Sequence, residues 1–211
     1  MESIIIVLLI LTSIVGLTFI VERGLALRRS RIIPAPVATA VEVLRSNSDL
    51  EGLKKLCEAN PSPIGRLILL AEKHREWPRS DNENALQTRA RYEVTRMERG
   101  LVILEIIVGI SPLLGLVGTI YGLIMLFNTL GPENMSNSAG LSKGIATALY
   151  ATLFGLLAAI PSLVAWSYYN KKVETMAVEM ESLCEEFLKN QYQMKEAAPA
   201  AAKKDDKAAK A

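Results

Sequence analysis

The sequence predicts an all-α integral membrane protein with three transmembrane helices, the second and third long enough to extend into the cytoplasm. Three observations predict it. The apolar residues come in long uncharged runs rather than in the periodic stripes of a soluble domain. Lys and Arg are partitioned between the segments those runs separate. The second and third runs are punctuated by Gly, Ala and Thr at helical spacing. Half of the 211 residues are hydrophobic, and mean hydropathy is +0.25.

The first run is Ser3–Val21, the second Ile106–Pro132 and the third Gly144–Asn170. A bilayer core of about 30 Å takes ~20 helical residues, so each run can span it. Glu2 precedes the first run, Arg23, Arg28, Arg29 and Arg31 follow it, and no A-x-A site is present. That is the pattern of a retained span, not of a cleaved signal peptide. Of the 24 Lys and Arg, 14 fall between Gly24 and Gly100, 8 follow Asn170, and none lies in Gly131–Ser142. The positive-inside rule then places the N-terminus and the 131–142 loop in the periplasm and the other polar parts in the cytoplasm. The expected order is span 1 over 3–22, a cytoplasmic helical region over 23–100, span 2 over 101–130, a short periplasmic loop over 131–142, span 3 over 143–169, a cytoplasmic amphipathic helix over 170–196 and a disordered tail over 197–211.

The region before the second span reads as short helices. Pro34 and Pro36 break the exit from span 1. Val37–Arg45 and Leu50–Glu58 are amphipathic, Ala59–Pro63 is a turn, and Ile64, Leu67, Ile68 and Ala71 form an apolar stripe. Ser80 followed by Glu83 has capping-box spacing and predicts the start of a charged helix that runs unbroken into span 2. His74 stands among Lys73, Arg75 and Glu76 and is expected at a solvated surface. After span 3, Val173, Met176, Met180, Leu183, Phe187 and Leu188 fall at helical spacing, a packing face. The Ala/Lys/Asp composition beyond Lys195 predicts disorder.

Several function classes are excluded by composition. A net charge of +2 gives no field for nucleic acid. Cys57 and Cys184 lie far apart without a CxxC, so neither a zinc site nor a disulfide framework is indicated. No catalytic triad, phosphate-cradling loop or metal-ligand cluster stands out, so neither an enzyme nor a cofactor is expected. Three spans without an internal repeat do not enclose a substrate alone.

Inside the membrane, Gly115, Gly118 and Gly122 form one smooth face of the second span, and Gly144, Ala148, Thr152, Gly155 and Ala159 form a similar small-residue stripe on the third; such stripes let helices approach closely in lipid. Packing accounts for the glycines fully but for the hydroxyls less well. Thr119 lies about 20 Å from the inner edge and Thr152 about 17 Å from it, at 1.5 Å per residue in antiparallel helices. Pro112 and Pro161 free backbone carbonyls nearby, which only protein or a water-lined cavity can accept. Ser111, Thr147, Tyr121 and Glu105 are possible accessory positions. No titratable residue lies mid-span, Glu105 at the inner end of span 2 being the nearest. If the chain conducts protons, the carrier is an acid on another chain that faces Thr119 and Thr152. The other reading is a passive membrane scaffold.

Ser111–Ile124, "SPLLGLVGTIYGLI", and Gly144–Pro161, "GIATALYATLFGLLAAIP", resemble the second- and third-span motifs of the MotA/TolQ/ExbB proton-channel family, most closely its ExbB/TolQ branch. "CEANPSPIGRLI" (Cys57–Ile68) and "EEFL" (Glu185–Leu188) are similar too, so the resemblance covers about Leu50–Asn190. The resemblance implies a bacterial inner-membrane ring, usually a pentamer, around single-span partners of ExbD/TolR type whose membrane Asp carries the ion. It implies that the work passes to a TonB- or TolA-type protein for outer-membrane transport or envelope maintenance. Thr119 and Thr152 match the threonines facing that Asp. Thr147 stands where the branch often has Glu, which leaves proton or sodium open as the coupling ion, and Tyr121 replaces the usual Trp. A flagellar stator of the MotA branch usually has four spans, against three here.

Overall fold

A computed structural model describes residues 2–129 and 138–208. Among them every regular element is helical: α1 (Glu2–Ala26), α2 (Arg29–Ile32), α3 (Ala35–Glu42), α4 (Asn47–Ala59), α5 (Pro63–Lys73), α6 (Arg79–Glu98), α7 (Leu101–Thr129) and α8 (Ser138–Ala208). The predicted all-α class is thus found, and three helices are long and apolar enough to cross a membrane, over Ile4–Ala26, Leu101–Asn128 and within Gly144–Lys195. The chain divides into two compact units, an apolar one (Met1–Leu25 with Arg99–Lys171) and a polar one (Ala26–Glu98 with Lys172–Ala211).

In the apolar unit, α1 supports α7 and α8 with one narrow face. Leu9 is buried, whereas Val7, Leu11 and Leu17 are exposed, as suits a helix that faces lipid on most sides. Gly16 permits this contact: a Cβ there would stand 3.0 Å from Ser162 Oγ and 3.6 Å from Ile107. Near the other end of α1 the Tyr169 hydroxyl donates to the Ile20 carbonyl at 2.8 Å. The Arg23 side chain lies over Gly100, whose missing Cβ leaves the room it uses.

In the polar unit, two helix starts are fixed by side-chain caps that satisfy orphan N–H groups. Ser46 and Asp49 form a capping box at α4. Ser62 accepts from Gly65 N at 3.2 Å at α5, with Pro63 in the first turn. The apolar stripe read from the sequence is the core: Ile64, Leu67, Ile68 and Ala71 are all buried, as are Met180 and Phe187 from α8. Glu93 of α6 is also buried. It receives Arg66 at 2.9 and 2.5 Å and Arg89 at 3.0 Å. Burial opposes ionisation of Glu93, but the Arg66 hydrogen bond and the charges of Arg66, Arg89 and Arg96 outweigh it and hold the carboxyl below its ordinary range.

Five expectations differ from what is observed. The α6 start is set by Pro78, whose carbonyl accepts from Asp81 N and Asn82 N at 3.1 Å, so Ser80 and Glu83 lie inside the helix and form no capping box. The helix does not run unbroken into the second span: a turn at Arg99–Gly100 separates α6 from α7, where Gly100 makes way for Arg23. His74 is half-buried, its ring stacked on Trp77 at 3.8 Å and 7°. Residues 138–142 of the predicted loop already belong to α8, and 130–137 lie outside the described residues. At its far end α8 continues to Ala208 across most of the stretch for which composition predicts disorder, consistent with the high helix propensity of Ala and Lys; 209–211 lie outside the described residues.

Candidate functional site

The site is built where α7 and α8 touch. A Cβ on Gly115 would meet the Ala151 carbonyl oxygen and Thr152 Cα at 2.9 Å, and one on Gly155 would meet the Ser111 carbonyl oxygen at 2.6 Å. A Cβ on Gly118 would meet Ala151 Cβ at 2.6 Å and one on Gly122 would meet Ala148 Cβ at 2.9 Å. In these places backbone packs on backbone or on alanine methyls. That is how a helix pair in lipid gains contact where the hydrophobic effect drives nothing. Gly109, in the same helix, meets nothing within 4 Å and lies outside this seam.

This close approach brings the two hydroxyls together. Thr119 Oγ1 and Thr152 Oγ1 are hydrogen-bonded to each other. Thr119 also lies 3.2 Å from the Gly115 carbonyl and 3.1 Å from the Ala148 carbonyl, and Thr152 lies 3.2 Å from the Gly115 carbonyl. The pair holds two protons and four lone pairs. With backbone carbonyls and each other as acceptors, both protons have local partners, while lone pairs remain to accept from an outside donor. Both side chains are half-buried, so a further group can reach them.

The other singled-out residues separate around this pair. Ser111 is fully buried in the same seam, and its Oγ has no hydrogen-bond partner. Pro112 lies within α7 and Pro161 within α8. Thr147 is exposed and lines a groove of about 370 Å³ with Ile5, Ile6 and Tyr150, on the side where Ile5 covers Gly118. Tyr121 is half-buried and Glu105 exposed, and neither contributes to the hydroxyl pair. Ala151, Ser162 and Gly16 were not singled out from the sequence. The signal that marks them is size alone, and small residues recur throughout these helices. No cluster of His, Cys, Asp and Glu suited to a metal occurs among the described residues.

The comparisons bear on this seam directly, because both of its helices fall within the matched segment. The model of the MotA/TolQ/ExbB proton channel family matches residues 60–182. An ExbB-like biopolymer transport protein of Synechocystis is 34% identical over 167 residues, covering 75% of this chain and 63% of that protein. An ExbB homologue of Methanothermobacter thermautotrophicus is 31% identical over 146 residues, covering 69% and 51%. The Tol-Pal system protein TolQ of Pseudomonas aeruginosa is 28% identical over 193 residues, covering 85% and 82%. The chain thus spans about half to two thirds of the length of the first two relatives. With the family's two membrane motifs seated on α7 and α8 and the matched segment running through both, this chain belongs to the MotA/TolQ/ExbB proton channel family, on its ExbB/TolQ branch.

Proposed function

We propose that this chain is the ion-conducting subunit of an inner-membrane motor of ExbB–ExbD or TolQ–TolR type, working as a ring of copies around a single-span partner that carries a membrane Asp. Residues 23–100 and 170–211 lie on the cytoplasmic side in this reading, on the strength of their Lys and Arg. The observation that carries it is the Thr119–Thr152 pair, two hydroxyls hydrogen-bonded to each other within helices that bring no mid-span acid of their own.

The proton count assigns the pair its work. As it stands, it accepts from a protonated carboxyl without breaking a bond. To donate to a carboxylate, one hydroxyl must leave a backbone carbonyl, a loss of about 1 kcal/mol that the charge-assisted bond recovers. The pair therefore serves both states of a borrowed acid at comparable energy, as a site that is protonated and deprotonated in turn requires. One charge moving through ~100 mV releases about 2.3 kcal/mol, enough to bias a conformational step. The work passes to a TonB- or TolA-type protein, with a proton as the coupling ion. Sodium is the alternative that the exposed Thr147 leaves open, since hydroxyls also ligate that ion.

The test is Thr119→Val with Thr152→Val, a near-isosteric pair that removes both hydroxyls. Ring mass and copurification with an acid-bearing single-span partner are expected to persist, while ion flux in proteoliposomes falls to background. Full flux in the double variant overturns the reading and leaves a membrane scaffold. Repeating the measurement under sodium and proton gradients separately names the ion.

A further inference from the structure

In the polar unit, α6 and the distal part of α8 leave a groove of about 550 Å³ along their shared length. Its floor is apolar and low, with Leu86, Ala90 and Val94 from α6 and Ala177 and Leu188 from α8. On α8, Cys184 and Leu188 are buried at the floor, while Glu181 and Glu185 stand exposed above it. The α8 wall is acidic, with Glu181 and Glu185; the α6 wall is mixed, with Arg79, Glu83 and Arg91.

The opposite side of α6 carries an aromatic and basic ridge. At about 100° per residue, Tyr92 projects about 180° from Glu83, and Arg96 about 220°. Tyr92 is 54% exposed, an aromatic left in solvent with the Arg89 guanidinium over its ring at 4.9 Å. Arg96 is exposed one turn further on. Tyr and Arg are the residue types enriched where interfaces concentrate their energy. A basic aromatic ridge and an acidic-walled groove on opposite sides of one helix make a heterologous pair of surfaces, which closes into a ring when the rotation between copies allows.

The register agrees. Asn82 of α6 donates to the Tyr192 hydroxyl of α8, and the two helices run in opposite directions. Ten residues along, Tyr92 stands level with about residue 182 of α8, and by the same count Arg89 stands level with Glu185 and Arg96 within a turn of Glu181. Copies related by rotation about an axis running along α6 keep these heights.

We propose that the α6–α8 groove is the seam between copies of this chain, taking up the Tyr92–Arg96 ridge of the next copy with its arginines against Glu181 and Glu185. The proposal rests on the ring reading above and adds the surface through which the ring closes outside the membrane. The test uses the full-length chain in nanodiscs. In a Cys184→Ala background, Tyr92→Cys paired with Glu181→Cys, both at exposed positions, is expected to give an intermolecular disulfide under copper–phenanthroline that neither single cysteine gives. Arg96→Glu and Glu181→Arg are each expected to weaken subunit association about three- to tenfold, and the double variant to restore it. A ring that forms without this two-cysteine cross-link, and that ignores both charge reversals, overturns this seam alone. A wild-type chain that native mass measurement finds only as a monomer overturns the ring as well.

Discussion

Gly155 offers the sharpest test of the seam that positions the hydroxyls. An alanine there would place its Cβ 2.6 Å from the Ser111 carbonyl oxygen, and ordinary contact begins at 3.4 Å, so α7 and α8 must part by up to about 0.8 Å. The obstacle is backbone on both sides (Gly115 Cα stands 3.1 Å away as well), so no rotamer change relieves it. Overpacking of this kind costs about 1–3 kcal/mol. Gly109→Ala is the control: its Cβ meets nothing within 4 Å, so only the helix propensity of alanine acts, a gain of up to about 1 kcal/mol. The two variants make the same chemical change in the same helix pair and are expected to move in opposite directions. A chain of this size shifts by about 2–4 °C per kcal/mol, so Gly155→Ala should melt several degrees below Gly109→Ala in one detergent or nanodisc preparation. The same parting lengthens the Thr119–Thr152 hydrogen bond one turn away, so flux should fall even where the ring survives. Equal melting temperatures for the two alanine variants would mean that α7 and α8 do not meet at Gly155, and the reasoning from the glycine seam would be wrong.

Two further outcomes concern the polar unit. Glu93 has its folded-state acidity set below the ordinary value of 4.5, so it contributes stability above that value, and the contribution is lost as pH falls through the depressed one. Glu93→Gln should therefore lower stability at neutral pH and flatten the loss of stability below about pH 4.5, read from tryptophan fluorescence during acid titration; an unchanged acid limb would remove Glu93 from that role. Asn82 is fully buried and donates to the Ala71 carbonyl at 3.0 Å and to the Tyr192 hydroxyl at 3.2 Å, so Asn82→Ala should destabilise by about 1–3 kcal/mol in chemical unfolding, and a change near zero would refute the contact.

Burial also decides the thiols. Cys57 is buried, and desolvation pushes its thiol up to about 11, so little thiolate exists at neutral pH. Maleimide should label it slowly in the folded chain and quickly in denaturant; equal rates would contradict the packing around α4.

How much of this was legible beforehand depends on the range of the physics involved. Spans, helical class and the apolar stripe of α5 follow from local composition and periodicity, because a bilayer core and a 3.6-residue turn impose lengths and spacings that a chain cannot hide. The pairing of Thr119 with Thr152 could be anticipated in depth, since antiparallel helices with a fixed rise bring the two positions to one level. Their actual contact could not, because depth says nothing of rotation about the helix axis. What decided it was the interlocking of Gly115, Gly118 and Gly122 of α7 with Ala148, Ala151, Thr152 and Gly155 of α8. The burial of Glu93 under Arg66 and Arg89 was equally invisible, since a charged helix with little amphipathicity reads as solvated throughout until α5 is packed against it. Pro78 rather than Ser80 starts α6 because its carbonyl takes up the first N–H groups, and the turn at Gly100 before α7 is covered by Arg23 from a distant part of the chain, a contact no local pattern shows. The sequence by itself thus determined that three helices can cross a membrane with hydroxyls at matched depth. Only the tertiary structure decided that those hydroxyls touch, because contact depends on which small residues from two distant segments meet face to face.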